Sequence, residues 1–244
     1  MSVCPATARS KDARWPAAGI KGVLETSFVD WPERLCAVLF LGRCNFRCPF
    51  CHNHALVLQP EALPTIGVES ILERLAPLRK WLGGICVTGG EPTLDPQLPD
   101  LLALFKVEAW PVKLDTNGSR PEVLEELLGQ GLLDAVAMDV KTVLVQDKYD
   151  RCAGTAVDLQ RIQRSIGLLR ASGIDHEFRM TVVPGLHTEA DVVAWGETLA
   201  GAGKLTLQNF NPKATLDPEL AGMAAFPVTV FAGFRERVLA RLKG

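Results

Sequence analysis

The 244-residue sequence lacks an excess of charge of either sign: 26 Lys and Arg stand against 28 Asp and Glu, a formal net charge of -2. That excludes a protein held on nucleic acid by bulk charge, which would show a basic surplus. There is no apolar run of membrane-spanning length, so no membrane partner is expected. Residues 1–19 contain Arg9, Lys11, Asp12 and Arg14 but no apolar h-region, which excludes a secretory signal. They read as a flexible N-terminal arm. Without export, the reducing cytoplasm is the expected compartment, where clustered thiols mean metal or catalysis rather than disulfides. Internal repeats are absent, and so is low-complexity sequence beyond the arm. Apolar content is ample: 48% hydrophobic and 22% charged residues suit a globular core. The length fits one α/β domain over residues 20–244 better than two.

The seven cysteines are unevenly spread. Three fall in Cys44-Asn45-Phe46-Arg47-Cys48-Pro49-Phe50-Cys51-His52-Asn53. Pro49 forbids a continuous helix, so the run is a loop that can turn three sulfurs toward one point. Cys thiolates hold iron–sulfur clusters, and three ligands on a four-iron cubane leave one iron open. The competing reading is structural zinc with His52 or His54 as fourth ligand. Zinc sites usually pair Cys-x₂-Cys with a second distant pair, and none exists here.

An unbroken apolar run at 35–41, a second buried run at 84–87, the segments 112–115, 135–140 and 204–210, and the alternating stretch 177–183 read as six strands. Between them, helical spacing appears at 69–81, around Leu98–Phe105, at 121–128, 157–169 and 188–199, with a last helix over 227–242 whose buried stripe is Phe231, Phe234, Val238 and Leu242. Ile20–Phe28 is a mixed lead-in segment, and Asp30-Trp31-Pro32-Glu33 is a turn. Alternating strands and helices argue a parallel sheet with right-handed crossovers. Six units are too few for a closed (β/α)₈ barrel, so a partial (β/α)₆ barrel is the expected α/β fold.

Ligands bind such sheets at the C-terminal strand ends. The candidate motifs all lie there: the cysteine loop, Thr88-Gly89-Gly90-Glu91-Pro92, Asp115-Thr116-Asn117-Gly118 and Asp139–Lys141. Gly89 and Gly90 permit positive φ and close approach of a ligand, and Glu91 adds a carboxylate suited to an ammonium group. As ordinary turns, Gly-Gly and Asn-Gly would signify little alone. Asp115 faces a ribose or a bound cation. Asp139 and Lys141, two apart on a strand, share a side; they form a rim ion pair or bind a carboxylate through Lys141. Phe50 is either loop packing or a ring offered to a flat base. Arg179 could reach into the barrel. His187 is an outside candidate after the fifth strand, while His176 reads as structural or solvated. Cys36 and Cys86 read as core, and Cys4 and Cys152 have no pairing partner.

Cys-x₃-Cys-x₂-Cys followed by Gly-Gly-Glu-Pro resembles the radical S-adenosylmethionine (SAM) superfamily. Phe28-Val29-Asp30-Trp31-Pro32, Cys44 through Asn53, Lys113–Gly118, Ala137–Lys141 and Val183-Pro184-Gly185 are similar to activating enzymes of glycyl radical enzymes, above all those of anaerobic ribonucleoside-triphosphate reductase. The likeness covers about residues 20–212. Three positions depart from the pattern: Arg43 stands before the first cysteine, and Glu33 after Trp-Pro, where Gly is usual; His54 replaces a common Pro.

The resemblance implies a radical SAM barrel with one [4Fe-4S] cluster on Cys44, Cys48 and Cys51. The SAM amino and carboxylate groups would chelate the fourth iron. Gly89, Gly90 and Glu91 would line the amino end, Phe50 and His52 the adenine, Asp115 the ribose or a cation, and Asp139 and Lys141 the carboxylate. It implies one-electron cleavage of SAM to methionine and a 5′-deoxyadenosyl radical that takes hydrogen from a partner's glycine. No side chain is then needed as acid or base. A low-potential donor such as flavodoxin or ferredoxin is implied too. Another protein or a small molecule as substrate is the alternative, and a non-enzymatic metal-binding module the remote one.

Overall fold

The computed structural model describes residues 16–242. Seven strands form one sheet in sequential order: β1 (Ile20–Ser27), β2 (Cys36–Leu41), β3 (Gly84–Gly89), β4 (Val112–Thr116), β5 (Ala135–Asp139), β6 (Asp175–Val182) and β7 (Lys204–Asn209). β2 to β7 pair in parallel, as the apolar runs predict, and curve into a partial barrel. β1 is an addition: the lead-in segment is a strand, antiparallel to β2, with Ile20 opposite Leu41 and Ser27 opposite Cys36. Its burial is mixed because it covers one edge; such a strand has no unbroken apolar run to reveal it.

The helices are α1 (His54–Leu58), α2 (Val68–Leu75), α3 (Leu98–Val107), α4 (Pro121–Gly129), α5 (Gln146–Ala153), α6 (Leu159–Ser172), α7 (Glu189–Thr198) and α8 (Val228–Leu242). α2 stops at Leu75, short of the expected Trp81, because Pro77 cannot continue the ladder and Ala76–Leu78 tightens into a 3₁₀ turn. α6 begins at Leu159 rather than Val157, since Asp158 caps it by accepting from Gln160 N–H. α7 has the expected Thr188 cap, completed by Asp191 into a capping box. α1 and α5 have no counterpart in the sequence reading. α5 is mostly polar (Gln146, Asp147, Lys148, Asp150, Arg151), so no apolar stripe marks it.

Alternation along the strands splits the interior in two. Ile85, Val87, Leu114, Val136, Met138 and Met180 pack outward into the main core with the helices. Phe234 and Val238 of α8 are buried as expected, and Gly196 of α7 lets Val238 approach to 3.3 Å from where a Cβ would sit. The predicted position Leu242 has no described side chain. On the inner face Trp31, Cys36, Val38, Cys86 and Ala135 form a second apolar cluster. Residues 1–15 of the arm lie outside the described residues. Its last residues are packed rather than loose: Ala18 is buried and Gly19 N–H donates to Asp95 Oδ2 at 2.6 Å.

Candidate active site

The C-terminal strand ends open into one cavity lined by Cys44, Cys48, Cys51, Phe50, His52, Gly89, Gly90, Asp115, Asp139 and Lys141, with Asn117, Arg179, Thr181 and Gln208. Nearly every residue singled out from the sequence is here. Glu91 and the outside candidate His187 are the exceptions.

The cysteine loop is held at both ends by the Gly-Gly-Glu turn. Gly90 N–H donates to Leu41 O at 2.9 Å, and Glu91 N–H to Arg43 O at 2.8 Å. Asn53, after the third cysteine, donates from Nδ2 to Gly89 O at 3.0 Å. A Cβ on Gly90 would lie 1.8 Å from Arg43 O, and one on Gly89 2.3 Å from Leu41 O. The glycines therefore serve close approach of the chain's own backbone, besides facing the cavity. α5 braces the loop's middle: Arg47 N–H donates to Ala153 O at 2.7 Å, and Gly154 passes so near Arg47 O that only glycine fits. Asp217 N–H donates to Pro49 O at 2.9 Å from the far end of the chain.

Glu91 does not present its carboxylate to a ligand. It is 1% exposed, and Oε1 accepts from Thr93 N–H (3.2 Å), Thr93 Oγ1 (2.5 Å) and Thr116 Oγ1 (2.7 Å), while Oε2 accepts from Asn117 N–H (2.7 Å). Burial raises its pKa despite these donors. The expectation of direct ammonium contact is corrected: the acid ties the β3 turn to the β4 turn.

Under the cavity runs a chain of alternating charge. Lys113 Nζ donates to Asp115 Oδ1 at 2.5 Å; Asp115 Oδ2 accepts from Arg179 at 3.0 Å; Asp139 Oδ1 accepts from Arg179 at 2.8 Å; Asp139 Oδ2 accepts from Lys141 at 3.0 Å. The cation facing Asp115 is thus the protein's own. Burial would strip Lys113 of its proton, but Asp115 outweighs it and raises the pKa. Lys141 is likewise raised: burial opposes its charge, while Asp139 and then Cys48 favour it. Asp139 is held far below the usual carboxylate range, because Arg179 and Lys141 overcome desolvation. Three cationic side chains alternate with two carboxyl side chains, so the chain formally carries one positive charge more than it balances.

Lys141 is fixed by its backbone. Its N–H donates to Tyr149 OH at 3.4 Å and its O receives His187 Nε2 at 2.9 Å. His187 Nδ1 accepts Val183 N–H at 2.9 Å, so the ring is neutral with its proton on Nε2. Burial lowers its pKa further. His187 is a staple between the β5 and β6 loops, with its ring edge on Phe50 and Cys152 Sγ 3.5 Å away. Phe50 is buried; His52 is exposed at the mouth. Arg179 and Thr181, on one face of the fifth expected strand, prove more central than their spacing alone suggests, and Gln208 has no counterpart in the sequence reading. Thr181 and Gln208 face each other in register on β6 and β7, and period two along those strands was the available signal.

The thiols test the cofactor. All described cysteines are free. Burial pushes Cys44 up to about 11 and Cys48 up to about 12, and raises Cys51. Among the described residues no three His, Cys, Asp or Glu side chains lie close enough together to grip a single ion. Three thiols on one loop that line one cavity are a donor set that fits three corners of a cubane.

The family model of the Radical SAM superfamily matches residues 38–194. The chain belongs to the radical SAM superfamily. As a radical SAM enzyme it uses a [4Fe-4S] cluster and SAM. It groups with the glycyl-radical enzyme activating enzymes, being 35% identical over 205 residues (82% of this chain, 83% of that protein) to a Methanocaldococcus jannaschii protein provisionally given that name. It is 31% identical over 134 residues to the pyruvate formate-lyase-activating enzyme of Clostridium pasteurianum, about half of each chain (51% and 52%). Streptococcus suis SuiB bound to S-adenosylmethionine shares the radical SAM fold, with a TM-score of 0.60 at 14% identity over 82% of this chain and 45% of that one. Among the described residues no helix is long and apolar enough to cross a membrane.

Proposed function

We propose that this enzyme installs a glycyl radical on a partner, anaerobic ribonucleoside-triphosphate reductase, in the cytoplasm, with residues 20–244 working as one domain. The observation that carries the reading is that three thiols, the Gly-Gly turn and the Asp139–Lys141 pair open into one cavity. Cys44, Cys48 and Cys51 would hold the cluster, and Gly89, Gly90, Asp139 and Lys141 would hold SAM beside it. When bound, the cluster, given one electron by a flavodoxin or ferredoxin, would supply the reductive SAM chemistry that ends in loss of a hydrogen from the partner's glycine.

The chain's own residues position and screen. Gly89 and Gly90 leave room at the amino end. Lys141, locked by Tyr149 and His187, presents an ammonium to the carboxylate. Asp115 lies by the ribose, and Phe50 and His52 flank the adenine. The buried positive charge of the Lys113–Lys141 chain offsets the anionic cluster. No proton transfer is required, which agrees with a site whose acids are all committed to internal partners.

The test is anaerobic reconstitution with iron and sulfide, then reduction with SAM and candidate partners. Formation of 5′-deoxyadenosine and a glycine-centred EPR doublet on the reductase is expected. 5′-Deoxyadenosine without the doublet would move the substrate to another protein or a small molecule. No 5′-deoxyadenosine at all would sink the enzyme reading. Cys48→Ala should lose both cluster and cleavage.

A further inference from the structure

Asn117 follows β4 and lies 5% exposed at the cavity wall. Its orientation is settled by its own hydrogen bonds. Oδ1 accepts Ser119 N–H at 2.9 Å, so the amide nitrogen faces the opposite way. That nitrogen carries two hydrogens. One goes to Asn45 Oδ1 at 2.9 Å. Asn45 must present its Oδ1 there, because turning its amide would set two donors against each other, and its Nδ2 then donates to Ser119 Oγ at 2.8 Å. The other hydrogen is left for Cys44 Sγ, 3.9 Å away. Phe46 N–H donates to the same sulfur at 3.3 Å. The backbone of Asn117 is anchored in turn by Glu91 Oε2.

We propose that Asn117 is a positioning residue for electron transfer, raising the reduction potential of the cluster by donating a hydrogen bond to the Cys44 thiolate, and that Glu91 acts through it. This rests on the reading that Cys44, Cys48 and Cys51 bind the cluster. Reduction adds negative charge that spreads onto the thiolate sulfurs. An N–H aimed at one of them stabilises the reduced state more than the oxidised one. In a buried wall the effect exceeds that of a hydrogen bond in water. Glu91 thus has a role without touching a ligand: it fixes the peptide from which the amide projects.

The test is a redox titration of the reconstituted full-length protein without SAM, followed by EPR of the reduced cluster. For Asn117→Ala, with iron and sulfide equal to wild type, the ratio of reduced to oxidised cluster at the wild-type midpoint should fall about tenfold, ~59 mV for one electron. Ser119→Ala removes Asn45's acceptor but keeps the Asn117 amide in place, and should titrate like wild type. An unchanged midpoint in Asn117→Ala, or an equal shift in Ser119→Ala, would overturn the assignment. Should Asn117→Ala bind no cluster, the wild-type protein still decides. With asparagine labelled by ¹⁵N at the side-chain amide alone, pulsed EPR should show a ¹⁵N coupling to the reduced cluster; its absence overturns the proposal. If Cys44→Ala retains the full cluster, the ligand reading fails first, and this inference with it.

Discussion

Arg179 on β6 donates to Asp115 on β4 at 3.0 Å, spanning an intervening strand and 64 residues of sequence. Register explains the reach. Asp115 pairs with Ala137 of β5, whose side chain is a single methyl, and Asp139, two residues on, pairs directly with Arg179. One guanidinium therefore holds two carboxylates in a site where its own side chain is 14% exposed. Truncating it leaves Asp115 and Asp139 without their shared partner. Arg179→Gln should lose about 3–5 kcal/mol of stability, as for a buried pair broken from one side. Urea denaturation measures it, and wild-type stability in the variant would refute the network's importance. Affinity for SAM should fall as well, because both carboxylates line the cavity.

Glu33 and Arg43 stand where glycine is usual in the activating enzymes, and both have left-handed backbones, at φ 66° and 70°. The departures in residue type have kept the turn geometry. A side chain there costs ~1–2 kcal/mol, of which glycine's extra freedom in the unfolded chain returns a part. Glu33→Gly and Arg43→Gly should each raise stability by about 0.5–1 kcal/mol. Losing the Arg43–Glu61 pair costs little, since both side chains are more than 70% exposed. A drop in melting temperature for either variant would contradict this.

Gly90 packs where a Cβ would lie 1.8 Å from a backbone oxygen that cannot retreat without moving Cys44. Gly90→Ala should therefore bind little iron after reconstitution. Gly129, at the end of α4, has nothing within 4 Å of its hypothetical Cβ. Gly129→Ala should keep full iron and gain up to about 1 kcal/mol from helix propensity. Equal iron content in the two variants would argue against the bracing role of the turn.

Asp191 closes the α7 capping box and pairs with Lys148. Burial would raise its pKa, but Lys148 and the Thr188 N–H and hydroxyl lower it overall. A carboxyl depressed in the folded state contributes stability above its unfolded pKa and loses it as pH falls through the folded value. Asp191→Asn should be about 1 kcal/mol less stable than wild type at pH 7. The gap should begin to narrow below the unfolded value of about pH 4 and close as pH falls through the lower folded value. Parallel denaturation at pH 7 and pH 3 checks this; a gap that stays constant would be inconsistent with the linkage.

Much of this enzyme could be read from its linear sequence. The six parallel strands announced themselves either as unbroken apolar runs buried on both faces, as in Cys36–Leu41, or by alternation where one face is more exposed, as in Lys204–Asn209. The cysteine loop, the glycine pair and Asp139–Lys141 were legible because their spacing is local: each motif sits within one turn at a strand end. What depended on tertiary structure is how the motifs meet. Glu91 looked like a ligand and became a buried brace, since its partners Thr116 and Asn117 arrive from another strand. Arg179 looked incidental and became the link between two acids. β1 and α5 were invisible because an edge strand and a polar helix have no repeating apolar signal. Composition and spacing determined which chemistry was available; only the closing of the sheet, which brings residues 40 to 72 positions apart within hydrogen-bond distance, decided which groups face the cavity and which hold it up.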